Sequence, residues 1–184
     1  GVSSLCWNTG GLGLIAADQG EDGLTGNAVT VEHLDLLCTG GTSGDALTLS
    51  GGRAIAGRTT PGAVVQHVNI RSYDASGGRM HWQRGIVCTQ NINPRLLNVT
   101  IDPINGKHCV VLHGAAPNFA PIDVVIAACN FYATAGEGRA HVLIDGAVEG
   151  VHMTDCTSIG SDLTLKWVSA PDAKYPWFSF TNNH

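Results

Sequence analysis

Charge is scarce in this chain. Asp, Glu, Lys and Arg make up 14% of its 184 residues, against roughly 25% in an ordinary globular domain. Lys and Arg together number ten, they form no run, and the net charge is −5. That excludes the basic patch on which nucleic-acid binding depends. No apolar stretch approaches the roughly 20 residues that cross a bilayer, and no leader pattern opens the chain. No nucleic-acid partner and no membrane insertion are therefore expected. The chain starts at Gly1 and not Met, as a processed product or an ordered piece of a longer chain does. Six cysteines are present, but no CxxC pair. This removes the zinc knuckle and the dithiol redox motif. Cysteines inside apolar strand patterns read as reduced, buried thiols that behave as small hydrophobes, suited to assembly in a reducing cytosol. There is no G-x-S-x-G nucleophile elbow. Gly40-Gly41-Thr42-Ser43-Gly44 lacks the lysine of a phosphate-cradling loop and reads as a turn. No cofactor and no metal are expected. No stretch has the Ala, Glu, Lys, Leu and Arg richness of a long helix.

Glycine is abundant, at 24 of 184 residues, and favours turns over helices. Two short strand patterns recur in a fixed order. The first is apolar–x–apolar closed by a polar residue or Gly. It occurs at Ala46-Leu47-Thr48-Leu49-Ser50-Gly51, Gly85-Ile86-Val87-Cys88-Thr89, Val110-Val111-Leu112-His113-Gly114, Val142-Leu143-Ile144-Asp145-Gly146 and Leu163-Thr164-Leu165-Lys166. The second follows each copy of the first: Val68-Asn69-Ile70, Val99-Thr100-Ile101, Cys129-Asn130-Phe131, Val151-His152-Met153 and Phe178-Ser179-Phe180, with an earlier copy at Leu34-Asp35-Leu36. The shortest cycle, Val142 to Leu163, is 21 residues, and insertions lengthen the others. Short strands stacked on one face, with loops of varying size at the corners, build a coil around a continuous core. The expected fold is all-β, a right-handed parallel β-helix of about five to six irregular turns, each rising about 4.8 Å. It forms one domain over 1–184, with 171–184 as a C-terminal cap. An antiparallel sandwich is the competing architecture. Against it, the strand order never reverses, and hairpin signals are sparse, chiefly Asp22-Gly23 and Asn105-Gly106.

With Leu47, Ile86, Val110, Val142 and Leu163 pointing inward, Thr48, Val87, Val111, Leu143 and Thr164 point out. Three of those five are aliphatic, so that face is expected to be covered, by neighbouring copies in a homotrimer or by a loop of the same chain. The outward residues of the second pattern are Asp35, Asn69, Thr100, Asn130, His152 and Ser179. All are polar, so this face is wet, either a glycan-binding floor or a solvated ladder.

Val68-Asn69-Ile70-Arg71-Ser72 resembles the V-x-I-x-N turns of the pectate-lyase-like superfamily, with Ser72 where that pattern has Asn. Low charge, long corner loops and an apolar outward face are most similar to a bacteriophage tailspike or tail-fibre β-helix. The resemblance covers roughly residues 10–180 and is architectural. It implies a homotrimer on a virion, assembled in the host cytoplasm, that binds bacterial surface polysaccharide and often cleaves it. It names no catalytic residue. The calcium-binding Asp clusters and paired basic residues of pectate lyases are not evident here. The alternatives are a non-catalytic structural virion component, such as a fibre shaft or capsid decoration, and a free, secreted polysaccharide lyase or hydrolase.

Glycoside hydrolysis needs two carboxyl groups about 5–10 Å apart, one with a raised pKa. Stacked coils supply such spacings. The loop spanning residues 73–84 carries Tyr73, Asp74, Arg79, His81 and Trp82, and the corner at 136–141 carries Glu137, Arg139 and His141. Asp74 and Glu137 are the candidate catalytic pair. Tyr73, Arg79, His81, Trp82 and Arg139 are candidate glycan-binding residues, since aromatic rings stack on sugar faces and Arg anchors acidic groups. A second constellation is a column of His113, Asp145 and Lys166 beyond the first-type strands. There a carboxylate could orient a histidine as general base, or the three could form a structural charge ladder.

Overall fold

The computed structural model describes residues 3–7, 13–18, 29–40, 42–51, 62–72, 81–89, 93–102, 106–114, 122–132, 139–160, 165–169 and 177–184. Within them every element is a strand and every strand pair is parallel. The chain alternates between two sheets. A six-stranded sheet stacks β2 (Leu14–Asp18), β4 (Thr42–Gly51), β6 (His81–Thr89), β9 (His108–Gly114), β12 (Ala140–Gly146) and β15 (Leu165–Ser169) in that order. A ten-stranded sheet takes the passes between them. It runs from β1 (Ser3–Trp7) through β3 (Thr30–Cys38) and β5 (Val64–Ser72) to β16 (Phe178–Thr181). Between β5 and β16 each pass is broken in two: β7 (Arg95–Leu97) with β8 (Thr100–Asp102), β10 (Ile122–Ala127) with β11 (Asn130–Tyr132), and β13 (Glu149–Thr154) with β14 (Thr157–Ile159). Parallel pairing throughout makes the fold a parallel β-solenoid, the class expected from the repeating strand order, and rules out the hairpin-built sandwich.

The break in the ten-stranded sheet has a local cause. His33, His67, Asn98, Ala128, Asp155 and Asn182 hold left-handed backbone, with φ between 52° and 54°. Asn, Asp and His tolerate that region better than other side chains, which is why they supply five of the six. The bend does not interrupt the hydrogen-bond ladder. Asn98 N donates to Ala127 O at 3.0 Å, Ala128 N to Thr154 O at 3.0 Å and Asp155 N to Thr181 O at 3.1 Å, each on the next coil. Two limbs result, and each sends every second side chain inward.

Those inward side chains form columns. Leu47, Ile86, Val110 and Val142 are aligned and fully buried, as are Leu49, Cys88, Leu112 and Ile144 beside them. Leu36, Ile70, Ile101 and Phe131 fill the opposite wall, and Val65, Leu96 and Ile126 the third. Removing water from such side chains contributes about 25 cal/mol per Å² of apolar surface, and each layer rests only on its neighbours.

Two assignments made from the pattern change. Val151 and Phe178 belong to the limb before the bend, aligned with Val124, while the pass through Cys129-Asn130-Phe131 continues in Cys156-Thr157-Ser158. Both limbs alternate alike, so the pattern alone does not separate them. In the last strand of the smaller sheet it is Leu165, and not Leu163, that aligns with Val142. Lys166 therefore stands beside Leu143, and Val168 takes the place beside Asp145.

Val87 and Val111, on the outward side, are 5% and 3% exposed in the single chain. That row is largely covered in the single chain, with Thr48 and Leu143 half-buried. All six cysteines are free thiols; Cys6 is exposed and the other five are buried. Burial pushes the Cys88 thiol up to about 12 and raises Cys109 as well, so both stay protonated and inert as nucleophiles.

Candidate functional site

The alternation that fills the core breaks once in each of β4, β6, β9 and β12. Ala46 and Leu47 are adjacent and both fully buried, as are Cys109 and Val110. At this step Ala46, Gly85, Cys109 and His141 drop out of the paired register while the residues on either side remain aligned. The chain bends there. Asp45, Arg84 and His108 on one side of the bend and Thr48, Val87 and Val111 on the other consequently line one outward cavity of about 810 Å³.

Its floor is the row Thr48, Val87, Val111 and Leu143, one residue per coil. Two polar rails flank it. The first is Asp45, Arg84 and His108, again in register. Arg84 grips Asp45 with two hydrogen bonds, Nε to Oδ1 at 2.5 Å and a terminal nitrogen to Oδ2 at 2.9 Å. Asp45 is 6% exposed, and a buried carboxylate needs such a partner. His108 Nδ1 lies 2.9 Å from Ala140 O and 3.1 Å from Ala140 N. Burial lowers the His108 pKa, only partly opposed by that carbonyl, so this rail holds a neutral imidazole. Gln83 and Lys107 extend it.

The second rail is Thr89, His113 and Asp145. His113 Nδ1 is 2.9 Å from Asp145 Oδ2. An ionised carboxylate only accepts, so the neutral form of the imidazole carries its proton on Nδ1 and keeps its lone pair on Nε2. The carboxylate thus fixes the tautomer of a group able to accept a proton or a hydroxyl hydrogen bond.

The structure brings His113 and Asp145 together as the sequence suggested, but Lys166 falls in the floor row and not in their column. Trp82, expected in a glycan-binding loop, lies in β6, fully buried and edge-on to Trp7 with centroids 5.2 Å apart. The run 81–84 continues the strand, where an unbroken loop was expected. His81 opens β6, half-buried, its pKa lowered by burial and by the positive charge of Arg139. Tyr73, Asp74, Arg79 and Glu137 lie outside the described residues. The sequence reading missed Asp45 and His108, and treated Arg84 only as part of a loop. The signal was available: Asp45 and Arg84 are 39 residues apart, the same interval as Leu47 and Ile86.

Comparison with protein-family models, with curated proteins and with solved structures gives no significant match. What the cavity can do therefore rests on its own groups. Among the described residues no cluster of three or more His, Cys, Asp or Glu side chains is arranged to hold a metal. The cavity's two carboxylates, Asp45 and Asp145, stand three coils apart, about 14 Å along the axis at the rise of paired strands. That exceeds the about 5–10 Å of glycoside hydrolysis. Each carboxylate is also tied to a partner of its own. An apolar floor between hydrogen-bonding rails suits a ligand with an apolar face and polar edges.

Proposed function

We propose that this solenoid is a tailspike-like virion protein, working as a homotrimer, that binds bacterial surface polysaccharide along the outward cavity of its six-stranded sheet. The observation that carries the reading is the cavity's build: a largely aliphatic floor over four coils, flanked by two polar rails of three coils each. A pyranose chain has C–H faces and hydroxyl edges, and such a ribbon laid along the axis meets apolar surface beneath and donors and acceptors on both sides. The charged groups of the rails are largely answered within the protein, Arg84 by Asp45 and His113 by Asp145. That favours recognition of hydroxyls over capture of a highly charged polymer.

The test is binding of purified capsular and O-antigen polysaccharides to the intact protein by surface plasmon resonance. Replacing His113 and Thr89 together by Ala removes two hydrogen-bonding side chains of one rail and weakens binding roughly tenfold. A structural fibre or decoration component binds none of the panel, and that result would sink the proposal. A catalytic reading has one observation in its favour, the Asp145-oriented imidazole of His113. It is decided by reducing-end release from the same polysaccharides, with His113→Ala abolishing release where that imidazole is the base.

A further inference from the structure

Trp177 is the most exposed large apolar side chain among the described residues, at 65%. Its position is fixed. The Trp177 carbonyl accepts a hydrogen bond from Val151 N at 2.8 Å, which anchors its backbone to the ladder just before β16. Its indole meets the His152 imidazole edge to face, with centroids 4.8 Å apart and planes at 87°. His152 Nε2 in turn lies 3.3 Å from Asp123 Oδ1, one coil back.

The backbone makes room beside this tower. Asp123 and Gly150 follow the aligned pair Ile122 and Glu149, and both are left-handed, with φ of 54° and 83°. A Cβ on Gly150 would stand 3.4 Å from the Asp123 backbone and 4.0 Å from the Trp177 carbonyl. Asp123, Gly150 and Trp177 are thus stacked, with the middle position bare of side chain. The backbone positions of Asp123 and Trp177 stand two coil rises apart, about 9.6 Å, and the His152 ring bridges their side chains. None of these residues lines the cavity described above.

An indole held by a neighbour and open over most of its surface is unfavourable to leave wet, since its burial is worth a few kcal/mol. Its chemistry fits a ring with an apolar face. The adjacent carboxylate and imidazole supply hydrogen-bonding groups for hydroxyls on that ring's edge. A cationic ligand fits less well, because His152 already faces the Asp123 carboxylate. We infer that Trp177, His152 and Asp123 form a second saccharide subsite, on the ten-stranded sheet and separate from the cavity of the smaller sheet. The choice of ligand class rests on the glycan reading above; the site does not depend on the cavity.

The experiment compares the intact protein with Trp177→Ala, Trp177→Phe and the cavity variant His113→Ala with Thr89→Ala, on the same immobilised capsular and O-antigen polysaccharides. Trp177→Ala weakens binding about tenfold, while Trp177→Phe, which keeps an aromatic face, stays within about threefold of the parent. Asp123→Asn gives a smaller loss. If Trp177→Ala binds as the parent does while the cavity variant loses affinity, the subsite is wrong and the cavity reading stands. Loss in Trp177→Ala alone supports the subsite and removes the cavity. Absence of binding by the parent overturns both. A change in solution mass of Trp177→Ala with binding unaltered makes Trp177 a protein-contact residue and overturns the subsite.

Discussion

His141 occupies the inward bend of β12 at 1% exposure, with the Phe131 ring centroid 6.2 Å away. Neither ring nitrogen makes a well-formed hydrogen bond among the described residues. Burial lowers its pKa, and the Ile159 carbonyl opposes this only in part. His81 and His108 are shifted the same way, again mainly by burial. The direction of the linkage follows. Each group has a folded pKa below its unfolded value of about 6.5, so the unfolded chain binds more protons as pH falls. Stability is held above about pH 6.5 and is lost progressively below it. His141→Leu removes a buried polar ring whose unmet hydrogen bonds cost on the order of 1–3 kcal/mol. It is expected to lose at most about 1 kcal/mol at pH 7.5, and to show a shallower fall in stability between pH 6.5 and 5 than the parent. Urea unfolding at both ends of that range measures it; an unchanged pH slope would show that His141 does not carry the effect.

At the same bend two coils earlier stands Gly85, and here the strand itself imposes the residue. A Cβ at Gly85 would collide with the Cys109 carbonyl and come within 2.6 Å of Ile101 Cγ2. The first neighbour is backbone and the second a fully buried core side chain, so neither can move away without disturbing the β6–β9 ladder. Gly85→Ala is expected to cost about 2 kcal/mol or more, and a shift of the urea midpoint below about 0.5 kcal/mol would contradict the close approach. This bend also marks where strand reading stopped being sufficient. Leu47, Ile86, Val110 and Val142 were legible because alternation alone puts them inside. Asp45, Arg84 and His108 were not, because the bend turns residues two places earlier outward, and alternation would have sent them in. The left-handed bends at Asn98 and Asp155 were hidden for a related reason: they separate two limbs with the same apolar period. Val151-His152-Met153 consequently took the place that belongs to Cys156-Thr157-Ser158.

A solenoid is held together coil by coil, which is why its architecture could be read from strand order while only part of its site, His113 with Asp145, could. The order is a property of the whole chain. The site depends on register at single bends, and Asp74 and Glu137 sit in insertions that no repeat constrains. The same coupling between neighbours makes the two ends different from the middle. At the end carrying β15 and β16, the inward columns finish in Trp167 and Phe180, 47% and 46% exposed, with Phe178 between them at ring distances of 5.1 Å and 6.4 Å. Among the described residues no strand pairs with β15 or β16 on their outer side. Asn183 supplies part of what is missing: its Oδ1 accepts from Cys156 N at 3.0 Å, and its Nδ2 donates to Met153 O at 3.0 Å. Asn183→Ala leaves both groups without those partners, at about 1 kcal/mol for each hydrogen bond. In a stack governed by nearest neighbours that loss stays local. Amide exchange at Cys156 should quicken roughly tenfold, while Leu112 N–H, in the middle of the smaller sheet, keeps its protection. Equal loss of protection at Cys156 and Leu112 would mean that the shaft opens as one unit and that its last coil has no independent stability.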